Sequence, residues 1–182
     1  PRFQPAPTVD LNLPHKVSER QLLKIISILR MAVPYTGMII STREKPEIRA
    51  KAFQIGISQT SAASMASPGG YGKEEALEQF SLQDHRSVDE TVKSILQQGL
   101  LPSFCTACYR SGRTGETIMK LLKPGKIQNL CRPNAILTFK EYLEDYASEQ
   151  VKKLGLKIIN HYLEKIPNYD IKQETKNRLK RL

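Results

Sequence analysis

Leu22, Ile25, Ile26, Leu29 and Val33 recur at the three- and four-residue spacing of one helix face, behind a Ser18–Gln21 capping box, and Pro34 stops the run. Gly37-Met38-Ile39-Ile40-Ser41 follows, a short continuous apolar run that predicts a strand buried on both faces. Pro46 suits the first turn of a second helix running through Phe53, and Gly56 to Ala62 reads as another strand. This alternation implies parallel pairing, and in parallel sheets chemistry collects where the strands end. Here those ends carry Ser41-Thr42-Arg43 and the polar stretch Gln59 to Ser64. Two or three strands cannot close a barrel, so the sheet is either open or one part of a larger one.

Ser67-Pro68-Gly69-Gly70-Tyr71-Gly72 is a cluster of chain breakers and marks the expected boundary, with residues 1–72 on one side and 73–182 on the other. Beyond it the period is helical. Ser87 to Glu90 forms a second capping box, Val88, Val92, Ile95 and Leu96 an apolar face, and Gly99 a C-terminal stop. Thr114 to Leu122 predicts a short helix ended by Pro124-Gly125, and Cys131 is placed in the loop before Pro133. Helices from about Leu137 to Ala147 and from Ser148 to Ile166 complete the pattern. The second has Val151, Leu154, Ile158, Tyr162 and Ile166 as its buried stripe.

A chain of 182 residues with 40% hydrophobic and 25% charged positions is an ordinary globular composition. No apolar run approaches the roughly 18 residues of a membrane span, and the polar, proline-containing start is no signal peptide. A cytoplasmic protein without a membrane partner is expected. The net charge of +10 raises nucleic acid as a partner, but its distribution weakens that reading. The last 32 residues hold nine Lys/Arg against three acids, the pattern of a solvated helical tail or a docking surface.

The three cysteines carry the strongest chemical signal: Cys105 and Cys108 two residues apart, then Cys131 after twenty-two more. Free cysteines are often core residues, but this pair sits among Thr, Tyr and Arg. Three thiolates are one short of a closed zinc site, for which His161 or His85 would be the fourth ligand. They also suit an iron–sulfur cluster with one iron open to another ligand, with Arg110, Ser111 and Arg113 as donors nearby. Ser41 and Arg43 leave a strand on the same side and suit a carboxylate, the guanidinium binding it in bidentate fashion. The competing reading pairs Arg43 with Glu44 or Glu47 at the surface.

Phe104-Cys105-Thr106-Ala107-Cys108-Tyr109-Arg110, Cys131-x-Pro133-Asn134-Ala135 and Phe139 to Ala147 resemble the C-terminal part of the [FeFe]-hydrogenase maturation tyrosine lyases of the radical-SAM superfamily. The resemblance continues upstream through Gln79-Phe80-Ser81, Asp84-His85-Arg86-Ser87, Gly69-Gly70-Tyr71, Ser41-Thr42-Arg43-Glu44 and Pro1-Arg2. It implies an α/β fold: the last strands and helices of a radical-SAM (βα)8 TIM barrel in 1–72, then a mostly helical auxiliary-cluster domain in 73–182. It implies an enzyme that uses S-adenosyl-L-methionine to cleave tyrosine into p-cresol and dehydroglycine, and that makes carbon monoxide and cyanide on the auxiliary cluster. Carried over, Cys105, Cys108 and Cys131 would ligate an auxiliary [4Fe-4S] cluster with an extra labile iron, and Ser41 and Arg43 would hold the substrate's amino-acid end. Other hydrogenase maturation proteins are the implied partners.

Two departures stand against the family pattern. The C-x3-C-x2-C motif that holds the adenosylmethionine cluster is missing, so the chain reads as a C-terminal fragment beginning near the sixth barrel strand and inactive alone. Ala62 to Pro68 also differ from the family's usual loop before Gly-Gly-Tyr. The alternative function is a Cys3His zinc-binding module whose basic helices dock on nucleic acid or a protein partner.

Overall fold

Ser18 opens the first helix by reciprocal capping. Its hydroxyl accepts from the Gln21 backbone N–H at 3.3 Å, and its own N–H donates to Gln21 Oε1 at 2.8 Å. This computed structural model describes residues 2–10, 12, 14–71 and 78–182. The chain forms two compact units, Pro1–Val88 and Asp89–Leu182. Pro1 and the boundary expected between residues 72 and 73 lie outside the described residues.

The first unit contains α1 (Glu19–Ala32), β1 (Ile39–Ile40), α2 (Pro46–Gln54) and β2 (Gln59–Thr60). The two strands pair in parallel, Ile39 opposite Gln59 and Ile40 opposite Thr60, as the strand–helix–strand order requires. Ile26, Ile40, Ala52 and Ile57 form a small core between the helices and the sheet. The strands are shorter than the apolar runs suggested, and the expectation of burial on both faces does not hold for β1. Ile40 is 2% exposed while its neighbour Ile39 is 64% exposed. Successive strand side chains point to opposite faces, and only one face of β1 meets the core. The other opens on a groove lined by Phe3, Ile25, Leu29 and Ile39.

Arg30 on α1 locks the connections around this sheet. Its Nε and Nη2 donate to the Gly56 carbonyl at 3.0 and 2.6 Å, and its Nη1 to the Pro34 and Thr36 carbonyls at 2.8 Å each. Gly56 adopts a φ of +121°, and a Cβ there would sit 2.6 Å from Arg30 Cγ. Glycine is needed on both counts.

The second unit contains α3 (Val88–Gln97), α4 (Ala107–Arg110), α5 (Gly115–Leu122), α6 (Gln128–Asp145), α7 (Glu149–Glu164) and α8 (Tyr169–Leu179). Gly99 ends α3 at φ +73°, as its position suggested. Helices α6, α7 and α8 pack together around Ile136, Phe139, Leu143, Val151, Ile159, Leu163 and Ile166, joined by Val92 and Leu96 of α3. Ser148 caps α7 by accepting from Val151 N at 3.4 Å, and Asn168 caps α8 by accepting from Ile171 N at 3.0 Å.

Three expectations shift here. Cys131 stands at the start of α6, not in a loop, because its N–H already closes a helical bond to the Ile127 carbonyl at 2.8 Å, and Pro133, inside the helix, does not end it. The buried line of α7 is Val151, Gly155, Ile159 and Leu163, with Leu154, Ile158 and Tyr162 flanking it half-buried. Gly155 turns the helix this way. A Cβ on it would meet Leu143 Cδ1 at 2.6 Å and Phe139 Cε1 at 3.1 Å, so the missing side chain is what lets α6 approach. The basic tail, finally, is only partly solvated. In α8, Thr175 is buried, Ile171 and Leu179 pack on the core, and Lys172 and Lys176 pair with Glu164. No helix among the described residues is long and apolar enough to cross a membrane.

Candidate functional site

Immediately after β1 the chain turns, with Glu44 N donating to the Ser41 carbonyl at 3.2 Å. Ser41 Oγ accepts from the Arg43 backbone N–H at 3.3 Å. The surface ion pair weighed for Arg43 does not form with Glu44, which is fully buried and bound by Arg2 through its backbone N at 2.6 Å, Nε at 3.0 Å and Nη2 at 2.8 Å. Arg43 instead lies over the Phe80 ring, its Cζ 4.2 Å from the centroid. Its Nε is buried and has no hydrogen-bond partner among the described residues. A guanidinium held by its face on an aromatic ring keeps its N–H edge for an anion. Phe80 lies 37 residues from Arg43, and nothing local in the sequence pairs the two.

A buried charge network braces this strand end. Arg49 on α2 is 2% exposed and pairs with Asp84, itself 1% exposed, through Nη1. Its Nη2 donates to Thr60 Oγ1 at 2.5 Å and to the Ser61 carbonyl. Arg86 adds three bonds to Asp84, its backbone N and Nε to Oδ1 at 3.1 and 2.9 Å and its Nη2 to Oδ2 at 2.6 Å. Burial pushes the Asp84 carboxyl upward, but the Arg86 hydrogen bonds and the charges of Arg49 and Arg86 outweigh it and leave it below the usual range. Gln83 N and Asp84 N both donate to the Thr42 carbonyl, at 2.9 and 3.1 Å. The loop carrying Phe80 and Asp84 is thereby tied to the residue between Ser41 and Arg43.

In the second unit the three cysteines come together. Cys105 precedes α4, Cys108 lies within it and Cys131 lies on α6; none is in a disulfide. Burial raises the Cys131 thiol pKa, and repulsion from Cys108 and then Cys105 raises it further. The Arg113 charge opposes that rise, and Cys108 is within hydrogen-bonding reach of Cys131. The Ala107 backbone N–H donates to Cys105 Sγ at 3.5 Å. Among the described residues no group of three or more His, Cys, Asp or Glu side chains closes tightly enough to hold a metal ion. Cys108 and Cys105 both lie near Cys131 in this unit.

His161 does not complete a zinc site. It lies exposed on α7, edge-on to the Tyr162 ring at 5.5 Å.

An aromatic column supports the cysteine loop. Phe104, next to Cys105, stacks on Tyr142 of α6 with centroids 4.8 Å apart and planes 19° from parallel. Tyr142 donates to Asp89 Oδ1 at 3.3 Å, and Asp89 also takes the Ser148 backbone N–H at 3.2 Å and hydroxyl at 2.6 Å. Burial and the Asp89 charge push the Tyr142 phenol up to about 12. The sequence showed Phe104 and Tyr142 as parts of motifs but gave no sign of their contact.

Comparison with known proteins agrees with this picture. The chain is similar to a crystal structure of HydG, a maturase of the [FeFe]-hydrogenase, with a TM-score of 0.90 and 50% identity over 97% of this chain and 39% of that one. It is also similar to the X-ray structure of the FeFe-hydrogenase maturase HydG from Carboxydothermus hydrogenoformans, with a TM-score of 0.72 and 34% identity over 97% of this chain and 37% of that one. Among curated proteins, 2-iminoacetate synthase of Escherichia coli (strain K12) is 35% identical over 103 residues, 56% of this chain and 27% of its own length. The chain therefore spans about a quarter of that relative and two fifths of the first HydG structure. The likeness to HydG over nearly the whole chain bears out the resemblance read from the cysteine motif and its surroundings. The profile of the Biotin and Thiamin Synthesis associated domain matches residues 1–101, more than half of the length, and the chain belongs to that family.

Proposed function

We propose that this chain is the C-terminal portion of a radical-SAM tyrosine lyase of [FeFe]-hydrogenase maturation. In this reading residues 1–72 supply the last βα units of the TIM barrel and 73–182 the auxiliary-cluster domain. The observation that carries the reading is the convergence of Cys105, Cys108 and Cys131, which follow one another at the spacing of the resemblance, Cys108 and Cys105 lying close enough to raise the Cys131 thiol pKa. These residues fit an auxiliary [4Fe-4S] cluster: three cysteine sulfurs brought near one another, with a backbone N–H on Cys105 Sγ. When bound, that cluster would supply an iron site with one position left for the labile iron and the carbon monoxide and cyanide made from the substrate.

The chain's own residues would then divide the work. The thiols hold the cluster, and the Phe104–Tyr142 stack fixes the loop that presents Cys105. At the end of β1, Arg43 keeps an N–H edge for the tyrosine carboxylate, with Ser41 beside it as the hydroxyl partner. S-adenosylmethionine and its own [4Fe-4S] cluster act in the complete enzyme through ligands outside this chain, so the isolated chain does not cleave adenosylmethionine.

Anaerobic reconstitution with iron and sulfide tests the reading. About four irons and four sulfides per chain are expected, with a brown charge-transfer band. Cys131→Ala should lose most of both. Full iron and sulfide in Cys131→Ala, or one equivalent of zinc without acid-labile sulfide in the parent protein, would refute the assignment.

A further inference from the structure

Arg113 has no acceptor where one is expected. Gly112, at φ +62°, ends α4 and reverses the chain, and the Arg113 backbone N–H returns to the Cys108 carbonyl at 2.9 Å. This places Arg113 on the turn that carries Cys108. Yet its Nε is buried without a hydrogen-bond partner, and no carboxylate pairs with Arg113 among the described residues. Glu116, the acid nearest in sequence, is directed to Lys120. The neighbouring Arg110 is exposed to solvent. A buried N–H of a cation is destabilising unless something accepts it. The thiol of Cys108 on the same turn, with those of Cys105 and Cys131, becomes anionic once it binds iron and would supply the acceptor.

We propose that Arg113 is the charge-compensating residue of the three-thiol site, its Nε donating to a sulfur of the cluster that Cys105, Cys108 and Cys131 hold. This rests on the iron–sulfur reading and adds to it a residue that sets the cluster's potential. Three thiolates leave the cluster negative, and each added electron makes it more so. A fixed cation with an N–H···S bond stabilises the reduced form and raises the reduction potential. Arg113 is a tuning residue in this scheme and touches no substrate.

The test uses the full chain, reconstituted anaerobically with iron and sulfide, and reads the midpoint potential of the cluster by redox titration followed by electron paramagnetic resonance. Arg113→Gln should take up the cluster with a more negative potential, Arg113→Lys should fall between it and the parent, and Arg110→Gln should match the parent. If Arg113→Gln fails to take up iron and sulfide while Arg113→Lys succeeds, the charge is needed for assembly and the proposal stands. An unshifted potential in Arg113→Gln, an equal shift in Arg110→Gln, or loss of the cluster from both Arg113 variants at native helix content overturns it. A parent protein that binds no iron and sulfide would instead overturn the cluster reading itself, so the two failures are distinguishable.

Discussion

Removing Asp84 should be among the most damaging single changes in the first unit. Asp84→Ala strips Arg49 of its carboxylate and Arg86 of two side-chain bonds and one backbone bond. The two arginines respond differently. The Arg86 side chain is 24% exposed and can turn to water, whereas Arg49 at 2% cannot and becomes an uncompensated buried cation. Breaking such a pair costs about 3–5 kcal/mol, and the bonds Arg49 keeps to Thr60 and Ser61 hold the loss near the lower end. The sign with pH follows from the depressed Asp84 pKa. Its contribution is full above the unfolded-state value near ~3.9 and is lost as pH falls through the folded-state value. Asp84→Ala should therefore differ most from the parent at pH 7 and converge on it below about pH 4.

Urea unfolding gives the free energy, and hydrogen exchange of peptides spanning 36–62 and 79–87 locates it. Because Gln83 and Asp84 hold the Thr42 carbonyl, exchange should rise around Ser41 and Arg43 as well. A loss under about 1 kcal/mol refutes the reasoning. So does an Arg49→Met/Asp84→Leu pair whose cost equals the sum of the single changes, since an interacting pair must couple.

Two further outcomes test the second unit. Gly155→Val drives a branched side chain into Leu143 and Phe139 and should lower stability by about 1–3 kcal/mol, visible as a lower Tm of its helical signal; an unchanged or higher Tm refutes the close approach. Tyr142→Leu removes the stack under Phe104, worth about 0.5–1.5 kcal/mol beyond buried area, so amide exchange across 100–106 should quicken while α7 and α8 stay protected. Unaltered exchange in 100–106 would show that the stack does not hold the cysteine loop.

Local chemistry explains which parts of the fold could be read along the chain. The Ser18–Gln21 box, the stop at Gly99 and the cap at Ser148 depend on residues at most a few positions apart, so the sequence contains both halves of each interaction. The stripe on α7 was legible as a period but displaced in phase, because apolar spacing does not count a glycine as the point of closest contact. Cys131 was misplaced into a loop because proline usually breaks a helix interior, whereas Pro133 lies inside α6 and the helix is held through it by its packing on the core at Ile136, Phe139 and Leu143.

The chemical inventory is written in the order of residues alone: three thiols at a distinctive spacing, a serine and an arginine at a strand end, and the alternation that makes the strands parallel. Who partners whom was set by folding. Glu44 goes to Arg2, Arg43 to Phe80, Arg49 to Asp84 and Phe104 to Tyr142, each pair separated by 35 or more residues. Ion pairing and stacking act through space at a few ångströms, and a chain records distance only along itself, so these pairings exist only once the backbone has folded.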